Sequence, residues 1–261
     1  MGFPDYLILF SSVLLGGGLA FYIQKNNKKI LQLVLSFSGA FILGISVLHL
    51  MPVAFSFPID TSILSTAEEQ TAAISKHGNT VGLLILLGFF VQIFLEQLSK
   101  GVEHGHIHAP HHGKTGFAIQ ILLGLSIHAF FEGIPLENQH LHAHAGHNHL
   151  LWGIVLHKAP AAFALVLLFL ISDFKKPLIV SALLVFALMS PLGAYAGKIL
   201  TENNVLTMER QNYVVAFVIG SFLHIATTIL FEVESAEHHS ISMRKLIAIL
   251  VGIGMAILTI L

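Results

Sequence analysis

Residues 116–136 read GFAIQILLGLSIHAFFEGIPL, an apolar stretch interrupted by one imidazole, His128, and one carboxylate, Glu132. As a helix, about 20 apolar residues match the ~30 Å hydrocarbon core of a bilayer, so the stretch reads as a membrane span. Its two ionisable residues are then the exceptions that need a reason, since each costs ~2.5–3.5 kcal/mol at the centre of a span on insertion scales. Four residues apart, His128 and Glu132 share one helical face and can point a nitrogen and an oxygen at one ion. Gly133 permits close approach of a neighbouring helix. Pro135 lacks an N–H and crowds the Phe131 carbonyl, which loosens the helix beside Glu132. The competing reading is a His–Glu hydrogen bond that merely neutralises two packing residues, although an apolar pair would do that at lower cost.

Seven further apolar runs flank this one, at about Tyr6–Ile23, Ile30–Val53, Val81–Leu98, Leu150–Ile171, Leu178–Leu200, Tyr213–Phe231 and Leu246–Leu261. With no Lys or Arg before it and Gly16, Gly17 and Gly18 inside it, the first run reads as a retained helix and not as a signal peptide. The whole composition agrees. Of 261 residues, 55% are hydrophobic and 10% are charged, against roughly 25% charged in soluble domains. The expected fold is therefore an all-α polytopic membrane protein of eight transmembrane helices in a single domain spanning residues 1–261. A formal net charge of -1 offers no basic field for nucleic acid. The chain has no cysteine, so any metal chemistry rests on nitrogen and oxygen, and its 17 histidines outnumber all Lys and Arg.

Basic residues orient the spans. Lys25, Lys28, Lys29, Lys100, Lys114, Lys175, Lys176, Arg244 and Lys245 fall in one set of connections, whereas Lys76, Lys198 and Arg210 fall in the other. The positive-inside rule places the first set in the cytoplasm and both termini outside it. The match of Gly39-Ala40-Phe41-Ile42-Leu43 in the second run to Gly220-Ser221-Phe222-Leu223-His224 in the seventh lies in helices of opposite direction, as an inverted repeat requires, but five residues also agree by chance among apolar helices.

The fifth run supplies His157 and Lys158 before Pro160. His128, Glu132 and His157 make a two-nitrogen, one-carboxylate set suited to zinc and, less selectively, to iron, manganese or cadmium. Three ligands leave a position open for an ion that must come and go. His49 and His224 lie on slim polar stripes of the second and seventh runs and are accessory metal or pathway candidates, or hydrogen-bonding residues between helices. Glu96 and Asp173 fall at cytoplasmic helix ends, where water and headgroups would solvate them.

These residues resemble the ZIP (Zrt/Irt-like) divalent metal transporters. The likeness is carried by His49-Leu50-Met51-Pro52, by Gly88-Phe89-Phe90 through Glu96, by His128-x-x-x-Glu132-Gly133, and by His157-Lys158-Ala159-Pro160-Ala161-Ala162-Phe163-Ala164-Leu165, the last similar to the members with His-Lys in place of His-Glu. The resemblance implies a 3+2+3 arrangement in which an inverted pair of three-helix units flanks helices four and five, a metal held between those two, and a homodimer. Where two-metal members have further ligands this chain has Ala129, Lys158 and Ala161, so a single ion is expected, with the Lys158 ammonium pairing with Glu132 in the space of the second.

Two His-rich loops remain. His104, His106, His108, His111 and His112 lie in the loop at 101–115, expected in the cytoplasm, and His140, His142, His144, His147 and His149 in the loop at 137–149, expected outside. Such spacing can collect a metal ion loosely, or the loops are simply polar linkers. The reading that follows is transport of a divalent transition metal, zinc foremost, toward the cytoplasm across a plasma or inner membrane, with the metal as substrate and no cofactor. The alternative is an intramembrane zinc metalloenzyme, against which stands the lack of His-Glu-x-x-His. Without a nucleotide-binding motif, direct ATP hydrolysis is not expected.

Overall fold

The computed structural model describes residues 1–22, 28–58, 66–100, 102, 114–137, 146–232 and 242–259. Among the described residues the chain is helical, with no strand. The helices are α1 (Phe3–Tyr22), α2 (Lys28–Ile45), α3 (Met51–Phe55), α4 (Ala67–Ser99), α5 (Lys114–Gly133), α6 (Gly146–Ile171), α7 (Lys176–Glu202), α8 (Met208–Glu232) and α9 (Met243–Leu258). A π turn, Ser46–Leu50, joins α2 to α3 into one span, and a 3-10 turn, Ile134–Glu137, closes α5 beside Pro135. Among the described residues, seven spans are long and apolar enough to cross a membrane, and α9, with 16 residues, is an eighth helix. The protein is thus a polytopic helical membrane protein.

The exposed faces follow from lipid as solvent. Leu83, Leu86, Leu87, Phe90 and Phe94 form an outward row on α4, and Leu184, Leu188, Leu192 and Tyr195 do so on α7. In hydrocarbon such residues have no reason to turn inward, so helix contacts select small residues that let backbones approach. A Cβ added at Gly16 would lie 2.2 Å from the Ala159 carbonyl oxygen, and one at Gly88 would lie 1.9 Å from that of Phe217. Helix pairing keeps an inverted regularity. α1 packs on α6 as α7 packs on α5, and α4 packs on α8 as α9 packs on α2. Exchanging the first three spans with the last three, and the fourth with the fifth, maps each of these pairs onto the other.

Both described ends of the chain reach the same end of the bundle. The Met1 amine bonds Glu137 at the end of α5 (3.0 Å), and His149 at the start of α6 bonds the carbonyl oxygen of Thr259, the C-cap of α9 (2.7 Å). One expected boundary moves substantially. The third run was read from Val81, but α4 begins at Ala67 and is 33 residues long, ~50 Å at 1.5 Å per residue. Its polar first turns extend beyond any hydrocarbon core and start at a capping box in which the Thr66 hydroxyl accepts from Glu69 N–H and the Glu69 carboxylate accepts from Thr66 N–H.

Candidate metal site

Helix α5 presents His128 and Glu132, and α6 presents His157 and Lys158. All four are buried, none more than 2% exposed. His128 Nε2 lies 2.7 Å from Glu132 Oε1, and Lys158 Nζ lies 2.5 Å from Glu132 Oε2. The His128 and His157 rings meet nearly edge to face, with centroids 5.7 Å apart. One ligand atom from each of His128, Glu132 and His157 lies within 4.8 Å of the others. Ligands at about 2 Å from a zinc ion stand roughly 3 Å apart, so small side-chain adjustments would bring these three onto one centre. Lys158 Nζ also lies 5.5 Å from the centroid of Phe186 on α7. The carboxylate is therefore shared, one oxygen toward the His128 imidazole and the other held by the Lys158 ammonium.

The local sequence explains how these groups are held. Glycines bring α5 and α7 together, because a Cβ at Gly133 would lie 2.2 Å from the Ser190 carbonyl and one at Gly193 would lie 2.0 Å from that of Phe130. Ser190 then donates its hydroxyl to the Ala129 carbonyl (3.1 Å), which fixes α5 one residue from His128. On α6, Pro160 has no N–H for the carbonyl of Leu156, four residues earlier. Ser38 of α2 donates to that carbonyl instead (3.1 Å), so the proline break beside His157 and Lys158 leaves no unsatisfied oxygen.

A second polar line leads away from the site between α4 and α8. Ser221 Oγ lies 3.4 Å from His128 Nδ1, and its hydroxyl donates to Gln92 Oε1 (2.9 Å). That direction leaves the serine oxygen able to accept a hydrogen bond from Nδ1–H in the tautomer whose Nε2 lone pair would face a cation shared with Glu132; without a cation, Nε2–H donates to Glu132 Oε1. One turn further along both helices, His224 Nε2 lies 2.5 Å from Glu96 Oε2, with side chains 10% and 16% exposed, and Thr228 Oγ1 lies 3.5 Å from the same nitrogen. Glu96 is thus paired with a histidine and enclosed, contrary to its reading as a solvated helix end. The offsets Gln92/Glu96 and Ser221/His224, each about one helical turn, were the available signal, but nothing local says that the two helices adjoin.

The other expected site residues fall elsewhere. His49 sits in the π turn against His149 of α6, with ring centroids 3.8 Å apart. His104, His106, His108, His111, His112, His140, His142 and His144 lie outside the described residues, and of the second cluster only His149 has a described side chain. Ala129 and Ala161 are buried and supply no ligand atom.

Residues 103–260 match the profile of a family described as ZIP Zinc transporter. The match covers more than half of the chain and includes α5 through α9, so the chain belongs to the ZIP zinc transporter family. No individual curated protein matches it. Family membership carries divalent metal transport as the general activity, with the metal as substrate, and agrees with the membrane-spanning fold.

Proposed function

We propose that this ZIP family chain, of the His-Lys type, moves a divalent transition metal, most favourably zinc, toward the cytoplasm through a mononuclear site formed by His128, Glu132 and His157. The observation that carries the reading is the buried carboxylate of Glu132, which has one oxygen 2.7 Å from His128 and the other 2.5 Å from Lys158. A buried His-Glu-His group of this kind is costly for a helix bundle unless a cation uses it. Lys158 takes the place of a second ion, which restricts occupancy to one. Two imidazoles and one carboxylate suit Zn²⁺ best and Fe²⁺, Mn²⁺ or Cd²⁺ as competitors.

The route toward the cytoplasm follows Ser221 and Gln92 to the Glu96–His224 pair, whose Glu96 lies four residues before Lys100 in the more basic set of connections. The charge asymmetry supports extracytoplasmic termini in a plasma or inner membrane. The family resemblance supports a homodimer, which cross-linking in native membranes would reveal.

The deciding experiment is uptake of ⁶⁵Zn²⁺ into proteoliposomes, with Fe²⁺, Mn²⁺ and Cd²⁺ as competitors. His128→Ala, Glu132→Gln and His157→Ala are each expected to abolish saturable uptake in protein that remains monodisperse. Near-normal transport by Glu132→Gln would remove the carboxylate from the mechanism.

A further inference from the structure

His49 and His149 belong to different helices and lie more than one helical turn from the central triad in sequence, yet they are packed ring against ring. The backbone of α2 changes just before Pro52. A proline here cannot donate to the carbonyl four residues earlier, Leu48, and the chain answers with the five-residue π turn Ser46–Leu50 that carries His49. His49, carried on this turn, lies against α6, where His149 is 9% exposed.

The tautomer of His149 can be read from its partner. Its Nε2 lies 2.7 Å from the Thr259 carbonyl oxygen, which has no proton to give, so Nε2 must be the N–H donor. In the neutral ring the lone pair is then on Nδ1. That atom is excluded from solvent and has no hydrogen-bond partner among the described residues. A buried acceptor left so costs ~1–3 kcal/mol. A metal-ligating imidazole has just this arrangement: one nitrogen tied to a backbone carbonyl, the other held outward as a lone pair. Simple ring packing of His49 on His149 would leave that nitrogen unsatisfied.

We propose that His49 and His149, whose rings part from their 3.8 Å contact to the roughly 5 Å centroid separation that two zinc-bound imidazoles need, form a second cation site, at the end of the bundle where both termini lie, for a borderline divalent ion such as Zn²⁺. Two imidazole ligands favour zinc, cobalt or nickel over magnesium and calcium. Two named ligands hold the ion more weakly than the three of the His-Glu-His site, as an early position on a path requires. His149 precedes His157 by eight residues on α6, a rise of about 12 Å. Only the onward transfer to His157 rests on the transport reading; binding at His49 and His149 does not.

The test separates the two. Full-length protein in lipid nanodiscs carries His128→Ala, Glu132→Gln and His157→Ala, with the histidines at 104, 106, 108, 111, 112, 140, 142, 144, 147, 224, 238 and 239 replaced by Ser. It is titrated with Co²⁺ and followed by ligand-field absorption, then back-titrated with Zn²⁺. One bound Co²⁺ is expected, displaced by Zn²⁺ but not by excess Mg²⁺, and weakened at least about tenfold by His49→Ala or His149→Ala. Because His149 also ties α6 to α9, His149→Gln is the second variant: its amide still donates to the Thr259 carbonyl but offers no imidazole, so it too should weaken binding. Absence of Co²⁺ binding in the starting protein, or unchanged affinity in His49→Ala and His149→Gln, would overturn the site. Transport that survived His157→Ala would count against the central site alone.

Discussion

Removing the Glu132 carboxylate should destabilise the protein as well as stop transport, and the cause should be Lys158. The ammonium is 1% exposed, 2.5 Å from Glu132 Oε2, with the Phe186 ring 5.5 Å away. In Glu132→Ala the cation stays buried, loses its counter-charge and keeps the Phe186 face, an interaction on the order of 2 kcal/mol when desolvated. Breaking a buried ion pair from one side costs ~3–5 kcal/mol, which at ~2–4 °C per kcal/mol for a chain of this size lowers the melting temperature by roughly 6–20 °C. Lys158→Met should cost less, because Glu132 retains His128 Nε2 at 2.7 Å. The double variant, with neither charge, should recover most of the loss. The assay is thermal unfolding in one detergent at one scan rate for wild type, both single variants and the double, with metal chelated throughout. A Glu132→Ala variant that melts within 2 °C of wild type (about 1 kcal/mol or less), or a double variant that loses the sum of the single effects, would refute the claim that Glu132 holds Lys158. The same reasoning makes Glu132→Gln the better transport variant.

Three other outcomes are expected. Gly193→Ala should force α7 away from α5, since its Cβ would lie 2.0 Å from the Phe130 carbonyl; overpacking of this kind costs ~1–3 kcal/mol, while Gly18→Ala, which meets nothing within 4 Å, should melt like wild type. A membrane-impermeant thiol reagent should label Asn148→Cys but not Gly113→Cys in intact cells, and reversed labelling would invert the proposed direction of transport. Lys158→Asp with Ala161→Glu should admit a second intramembrane ion, counted by anomalous diffraction, and shift competition toward Mn²⁺ because added carboxylates favour harder ions; two ions in the unaltered site would refute the one-ion assignment.

The spans, and the His128/Glu132 pair within one of them, were legible in the residues alone, because bilayer thickness and helical pitch are constants that turn apolar run length and four-residue spacing directly into geometry. The beginning of α4 was legible too, in Thr66 and Glu69, but a criterion of apolarity passes over a helix that leaves the membrane. What no spacing contains is which helices touch. The Glu96–His224 pair, the Ser221–Gln92 connection to His128, the bond from Ser38 to the carbonyl freed by Pro160, and the meeting of His49 with His149 all cross between helices far apart in the chain. In lipid, apolar side chains gain little by burial, so the partners are chosen by where glycine and serine let backbones approach, and that choice is made only in the assembled bundle.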